Sequence, residues 1–304
     1  MTAATIVVPS RGGARRLPTL LTSALAQTSS DFEIVVVLDG DIDDSASVLA
    51  EWTDRLALRV ICFPENRGRA AALNAGFRAA HGRVLIRADD DLELEPDFVE
   101  HHVALHEGEA RGVVAMCRDV FPETPYAAAY GRAADERIRA AASVEPPETR
   151  WRWWSGNVST TAETFERVGD YDEDFRAYGW EDVEWGYRLH LAGIPVVIAP
   201  GFSTLHHGPV TTTAERASRA FASGAARRRF ERKHGADAIP APRRNRSPWS
   251  IAVATTATAC NARSVAMAGR ALDRVVGVLP RRVAEKGVAL LVEASAVAGR
   301  GGRE

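Results

Sequence analysis

Up to residue 120, short apolar runs rich in β-branched side chains alternate with segments of helix length. That alternation narrows the fold more than any other feature. The runs fall at residues 5–8, 33–38, 58–62, 83–87 and 112–116, and the helical segments at 15–27, 45–54, 69–80 and 96–106. Strand–helix–strand alternation predicts a parallel sheet with helices on both faces. Ligands of such sheets bind beyond the carboxyl ends of the strands, where the chain order reverses. The segments there are 9–13, 39–44, 64–68 and 88–91, and polar residues cluster in them.

Further along the pattern loosens. Residues 120–150 read as a Pro-containing, Ala-rich excursion. Trp151, Trp153 and Trp154 lead into Ser155–Gly156–Asn157, a helix is expected over 179–192, a strand over 195–199 and a basic helix over 213–233. After a Pro/Arg/Asn segment the composition shifts to Ala, Val and Arg. The expected organisation is a domain over 1–236, with halves 1–120 and 121–236, a linker over 237–248 and a helical appendage over 249–304.

Composition excludes several classes. A hydrophobic content of 46% and a charged content of 26% belong to an ordinary globular chain with an adequate core, and a net charge of −2 gives no reason to expect nucleic acid. Cys62, Cys117 and Cys260 are sparse and follow no metal-ligand spacing, as in a reducing compartment. The first strand-like run begins almost at once, without the pattern of a secretory signal. No uninterrupted apolar stretch reaches the ~18 residues of a membrane span. A cytoplasmic location is expected, with the inner face of the membrane as a peripheral site.

Asp89–Asp90–Asp91 closes a predicted strand. Neighbouring carboxylates repel unless a cation or a strong donor set neutralises them, and hard ions such as Mn²⁺ or Mg²⁺ take oxygen ligands while leaving positions for phosphates. An acidic cap for the following helix is the competing reading. Asp39, before Gly40, suits either a nucleobase or ribose contact or a simple turn. Asn66–Arg67–Gly68–Arg69 combines close backbone approach with phosphate-pairing cations, or merely starts a helix. Glu181 and Asp182, between Trp180 and Trp185, offer a general base beside platforms for a sugar ring, or first-turn helix acids. His206 and His207 could complete a metal site. His102 and His106 share a helix face at i, i+4 and read as a solvated face, with a metal pair as the rival.

Taken in order, the segments VVPSRGG, SALAQTSSDFEIVVVLDG, ENRGRAAALNAGFRAAHGRVLIRADDDLELEPDF, WWSGN, VGDYDEDFRAYGWEDVEWGYRLHLAG and LHHG resemble glycosyltransferase family 2, from about Thr5 to Gly235. The later segment looks most like the bacterial polysaccharide and chondroitin-polymerase-type branch. The resemblance implies an α/β GT-A fold: a Rossmann-like, mostly parallel central sheet with helices on both faces, here followed by the C-terminal helical appendage. It implies inverting sugar transfer from a nucleoside-diphosphate sugar, UDP foremost, to a glycan, lipid-linked or small-molecule hydroxyl, with Mn²⁺ or Mg²⁺. Asp39, Pro9 and Ser10 would line the base pocket, and Arg69 would lie near base or phosphates. Asp89 and Asp91 would hold metal with Asp90 between them as a further candidate, and Asn157 would face the transferred sugar. Glu181 and Asp182 would supply the base, Asp182 taking the proton. His206, and less securely His207, would complete the metal site.

The chain departs from the family pattern at three positions. Leu38 replaces an acid before Asp39, Leu73 replaces a frequent arginine, and Arg87 stands where many relatives carry aspartate, leaving the metal register open by one position. The rival functions are a nucleotide-sugar pyrophosphorylase, a non-catalytic nucleotide-sugar-binding protein and a glycoside hydrolase. The basic helix 213–233 is a candidate for peripheral membrane contact, and the appendage for dimerisation or membrane contact.

Overall fold

A computed structural model describes residues 2–176, 179–239 and 247–302. The chain forms two compact units. The first takes in the chain to Val120, then Arg139–Arg176 and Glu181–Gly208; the second holds Phe121–Ile138, residues 179–180 and the chain from Pro209 onward. Ala177 and Tyr178 of the acidic motif, and residues 240–246 of the expected linker, lie outside the described residues.

The first unit follows the expected alternation. In chain order it runs β1 (Ala4–Ser10), α1 (Leu17–Leu25), β2 (Phe32–Leu38), α2 (Ser45–Ala50), β3 (Leu58–Cys62), α3 (Arg69–Ala79), β4 (Val84–Ala88), β5 (Leu92–Glu93), α4 (Phe98–Ala104), β6 (Gly112–Ala115) and β7 (Arg118–Asp119). α5 (Arg132–Ser143) leads back into it, followed by β8 (Asn157–Thr161), α6 (Ala162–Val168), α7 (Glu181–Leu191), β9 (Val196–Ala199) and β10 (Leu205–His206). Seven strands make the main sheet in the order β3-β2-β1-β4-β8-β6-β9, and β5-β10-β7 make a small second one.

β1 to β4 pair in parallel, and their near-continuous apolar sequences suit strands covered on both faces. Alternate residues divide between the layers. Ile6, Val8, Ile34 and Val36 pack with Leu17, Leu20 and Phe98 on one side. Val35 and Val37 pack with Ala71 and Ala72 of α3 on the other.

One strand of the main sheet was not expected from the sequence, nor were the three short strands of the second sheet. β8 lies antiparallel between β4 and β6, which makes the sheet mixed. Its sequence, NVSTT, is polar, yet Asn157, Ser159 and Thr160 are buried. Neighbours satisfy Asn157 and Ser159, while Thr160 Oγ1 is buried without a hydrogen-bond partner. Ser159 Oγ lies 2.8 Å from His102 Nδ1 and 2.7 Å from His106 Nε2.

The two histidines therefore correct the solvated-face expectation. Both are buried within the unit, and burial pushes their imidazoles down to about 3 for His102 and about 4 for His106. Neutral rings serve the hydroxyl of β8 here.

In the second unit a π turn (Ala127–Gly131) precedes α8 (Thr213–His234), α9 (Pro248–Thr258), α10 (Ala262–Val275) and α11 (Arg281–Arg300). Val276, Ala284, Val288 and Val292 pack on Tyr126 and Tyr130, and Ala217, Val265, Leu291 and Ala294 form a second cluster. α8 forms as expected, with Arg229, Arg232 and Lys233 exposed. It buries Ala217, Gly224, Ala226 and Phe230, while Arg219 pairs with Glu215 at 2.6 Å and Arg227 with Glu231 at 2.8 Å. None of the helices among the described residues is long and apolar enough to cross a membrane.

Candidate active site

The polar residues gather where β1, β2 and β4 end. At the end of β2, Asp39 is buried and accepts hydrogen bonds from the backbone N–H groups of Arg67 at 2.6 Å and Gly68 at 2.9 Å. Its carboxylate thus fixes the turn into α3. A carboxylate has about four lone-pair positions, so capacity remains for a further donor. Arg11 donates to the Asp39 carbonyl at 2.6 Å, and Asp39 N–H donates to the carbonyl of Ser10 at 2.8 Å, joining the ends of β1 and β2.

Each of the three aspartates after β4 has a different partner. Asp89 accepts from Arg87 Nη2 at 3.0 Å. Burial opposes its charge, but the guanidinium groups of Arg87 and Arg69 prevail and hold the carboxyl below its usual range. Asp90 is engaged by the end of β1 and the start of α1: Ser10 Oγ donates at 2.5 Å, Arg16 Nε at 2.9 Å and Arg16 Nη2 at 2.8 Å. Asp91 Oδ2 lies 3.3 Å from His206 Nε2, while its Oδ1 is buried without a hydrogen-bond partner.

Glycines make room for all three. A Cβ added at Gly208 would collide with Asp91 Oδ2 and one at Gly156 with Asp89 Oδ2, while one at Gly13 would come within 2.7 Å of Asp90 Oδ2.

The small sheet supplies the histidine. β10 pairs antiparallel with β5 and parallel with β7, which sets His206 opposite Asp119. His206 Nδ1 lies 2.6 Å from Asp119 Oδ1. Burial opposes protonation, but Asp119 and Asp91 outweigh it and push the imidazole up to about 10. Cation uptake at this pair would therefore displace a proton. His207 pairs instead with Glu93 at 2.7 Å.

These residues fit an open site for a hard divalent cation. Among the described residues no three His, Cys, Asp or Glu side chains form a ready-made ligand group. Ions such as Mg²⁺, however, use one or two carboxylates and complete their shell with water and substrate phosphates. The orphaned Asp91 oxygen beside His206, with space kept by Gly208, suits that arrangement.

α7 opens with the acid pair. Asp182 is held by Arg87 in a short, direct ion pair, so one fully buried guanidinium joins Asp182 to Asp89. Glu181 Oε1 lies 3.5 Å from Arg69 Nη1, and its Oε2 is buried without a hydrogen-bond partner. Burial, reinforced by Asp182, pushes the Glu181 carboxyl up to about 7. Burial also raises Asp182, against the pull of Arg87 and Arg69.

One expected contact is corrected. Trp185 is no sugar platform: it is buried against Trp154, Phe165 and Tyr171 and donates to the Gly169 carbonyl at 2.7 Å. The Asn157 amide is buried among Thr204 at 3.2 Å, Cys117 at 3.5 Å and His102 at 3.3 Å. Arg16, Arg87 and Asp119 join the site without having been assigned roles in it. For Arg87 a signal existed, since a charge inside an otherwise apolar strand must find buried partners. Nothing local marked Asp119 or Arg16.

Solved structures give the fold class. The mannosyltransferase PcManGT from Pyrobaculum calidifontis, solved with GDP-Man and Mn²⁺, matches over 98% of this chain and 87% of its own at TM-score 0.65 and 20% identity. TarS 1-349 of S. aureus, in complex with UDP-GlcNAc, matches over 99% and 92% at TM-score 0.52 and 14% identity. The fold is GT-A. Residues 5–178 match the family model described as Glycosyl transferase family 2, and the chain belongs to that family. Validoxylamine A glucosyltransferase of Streptomyces hygroscopicus subsp. jinggangensis (strain 5008) is 32% identical over 223 residues, 64% of this chain and 53% of the relative. The chain thus spans about half the length of the curated relatives it matches first.

Proposed function

We propose that the protein transfers a sugar from a nucleoside-diphosphate donor, a UDP-sugar foremost, to a hydroxyl acceptor with inversion, and that transfer requires Mn²⁺ or Mg²⁺. The observation that carries this reading is Asp91, whose buried, unpartnered oxygen lies beside His206. The donors bound in the PcManGT and TarS structures, and the Mn²⁺ in the former, support it.

Pro9, Ser10 and Asp39 line the nucleoside pocket, and Arg69 faces the phosphates. A divalent cation bound by Asp91, His206 and Asp89 would act as Lewis acid and template for the leaving diphosphate. Arg87 orients Asp182, and burial raises the basicity of that carboxylate. Asp182 takes the acceptor proton as the hydroxyl oxygen bonds to the anomeric carbon. The bond from that carbon to the diphosphate breaks, its electron pair leaving with the phosphate. A single displacement inverts configuration and requires no covalent sugar–enzyme intermediate. Asn157, through Thr204 and His102, shapes the wall facing the sugar.

A thermal-shift panel of UDP, GDP, dTDP and CDP, with and without Mn²⁺, tests this. A ligand binding only the folded chain raises its melting temperature. UDP with Mn²⁺ should give the largest rise, chelator should remove it, and Asp91→Asn should abolish the Mn²⁺-dependent part. A preference for GDP would overturn the base assignment alone. No nucleotide response under any metal condition would overturn the whole reading.

A further inference from the structure

In the second unit, α10 and the turn into α11 carry an outward surface that the transfer chemistry does not use. The inward side of α10 buries Val265 and Gly269, with Val276 just beyond its end. One outward side, at helical spacing, presents Arg263, Met267, Arg270, Arg274 and Val275, all exposed. The turn continues it. Val278 is 83% exposed and Met267 64%, and Arg281, Arg282 and Val283 follow in the open.

The acids of this segment are occupied elsewhere. Asp273 accepts from the backbone N–H groups of Thr213 at 2.7 Å and Ala214 at 3.1 Å, capping α8. Glu285 pairs with Arg137 at 3.1 Å. Arg263, Arg270, Arg274, Arg281 and Arg282 are left as a cationic field around exposed methionine and valine side chains. Cationic heads beside apolar groups match a bilayer surface, where arginines meet anionic headgroups and the apolar side chains enter the acyl boundary.

We propose that this α10–α11 face is a docking surface for an anionic lipid bilayer.

Vesicle flotation of the full chain tests it, with phosphatidylglycerol-containing vesicles against pure phosphatidylcholine. The wild-type chain should float with the anionic vesicles only, and less at high salt. R281E/R282E should weaken binding about tenfold or more, since each basic residue near such a surface contributes about 1 kcal/mol and ~1.4 kcal/mol makes a decade. V278D should weaken binding several-fold, by removing an apolar insertion and placing a negative charge beside the arginines. R270E/R274E serves as a second charge reversal, and unchanged melting temperatures establish that all variants fold. Equal flotation of wild type and both charge reversals would overturn the proposal, as would absence of wild-type flotation. It would equally fail if heparin bound as tightly and insensitively to V278D, or if V278D dissociated a dimer of the chain. None of these readouts depends on sugar transfer.

Discussion

Arg87 is the most consequential single residue at the site. Its guanidinium is fully buried and bridges Asp89 and Asp182. Burial disfavours its charge, yet the two carboxylates raise its affinity for the proton well above the ordinary value. Removing one partner from a buried ionic group strands the others, at a cost of about 3–5 kcal/mol. Arg87→Met should lower stability by that amount in urea unfolding. Arg87→Lys should fold more nearly as wild type but lose turnover, because an ammonium lacks the planar fork that spans two carboxylates. Equal turnover in wild type and the lysine variant would show that the bridge has no part in aligning Asp182. Gly208 gives a complementary test. A methyl group there must displace Asp91, and displacement of a reacting group by about 1 Å costs about a hundredfold in rate. Gly208→Ala should lose transfer to that degree and bind Mn²⁺ more weakly, as measured by titration calorimetry with UDP present.

At the scale of the element, β8 shows how a polar segment becomes a central strand. Its period is hidden because the residues it buries are Asn, Ser and Thr rather than Val or Ile, so hydrophobic patterning had no grip. Pairing with β4 and β6 places the strand in the sheet, and His102 of α4 with His106 just beyond that helix meets its Ser159. Ser159→Ala should destabilise the chain by about 1–3 kcal/mol by leaving those rings short of a partner. The same contacts set an acid response. Both histidines are depressed in the folded chain, so the unfolded chain binds more protons once pH falls below about 6.5. Stability is therefore full above that pH and falls as pH drops toward 4, each ring contributing up to about 1.4 kcal/mol per unit. His106→Gln should flatten the slope of urea midpoint against pH over that window. An unchanged slope would remove the histidines as its source.

The whole molecule is what brings the acid pair of α7 to the sheet edge, and this too leaves a pH signature. Glu181 is raised in the folded chain to about 7. An acid so raised binds more protons folded than unfolded between about 4.5 and 7, so it stabilises below that window and its contribution is lost as pH rises through it. Glu181→Gln should therefore melt a few degrees higher than wild type at pH 8, with the difference vanishing near pH 4.5. A lower melting temperature at pH 8 would mean that its pairing with Arg69 outweighs the burial of its charge. Turnover of the same variant, compared with Asp182→Asn, separates the roles of the two acids. Loss of general-base catalysis typically costs 10²–10⁴-fold, and that loss is expected at Asp182.

The alternation of strands and helices and the acidic end of β4 could be read from the chain alone. Periods of two and 3.6 are local, and repulsion among neighbouring aspartates requires no partner to be recognised. The helical character of the C-terminal region was legible for the same reason. The allocation of the three carboxylates was not. Asp90 is taken by Ser10 and Arg16, 80 and 74 residues away, and Arg87 by Asp182, 95 residues away. Such pairings depend on which strand ends the sheet order brings together, and no local pattern records that order. Tertiary structure alone thus decided that Asp91 keeps a buried oxygen without a partner, because only the assembled sheets determine which charges meet and which are left unpaired.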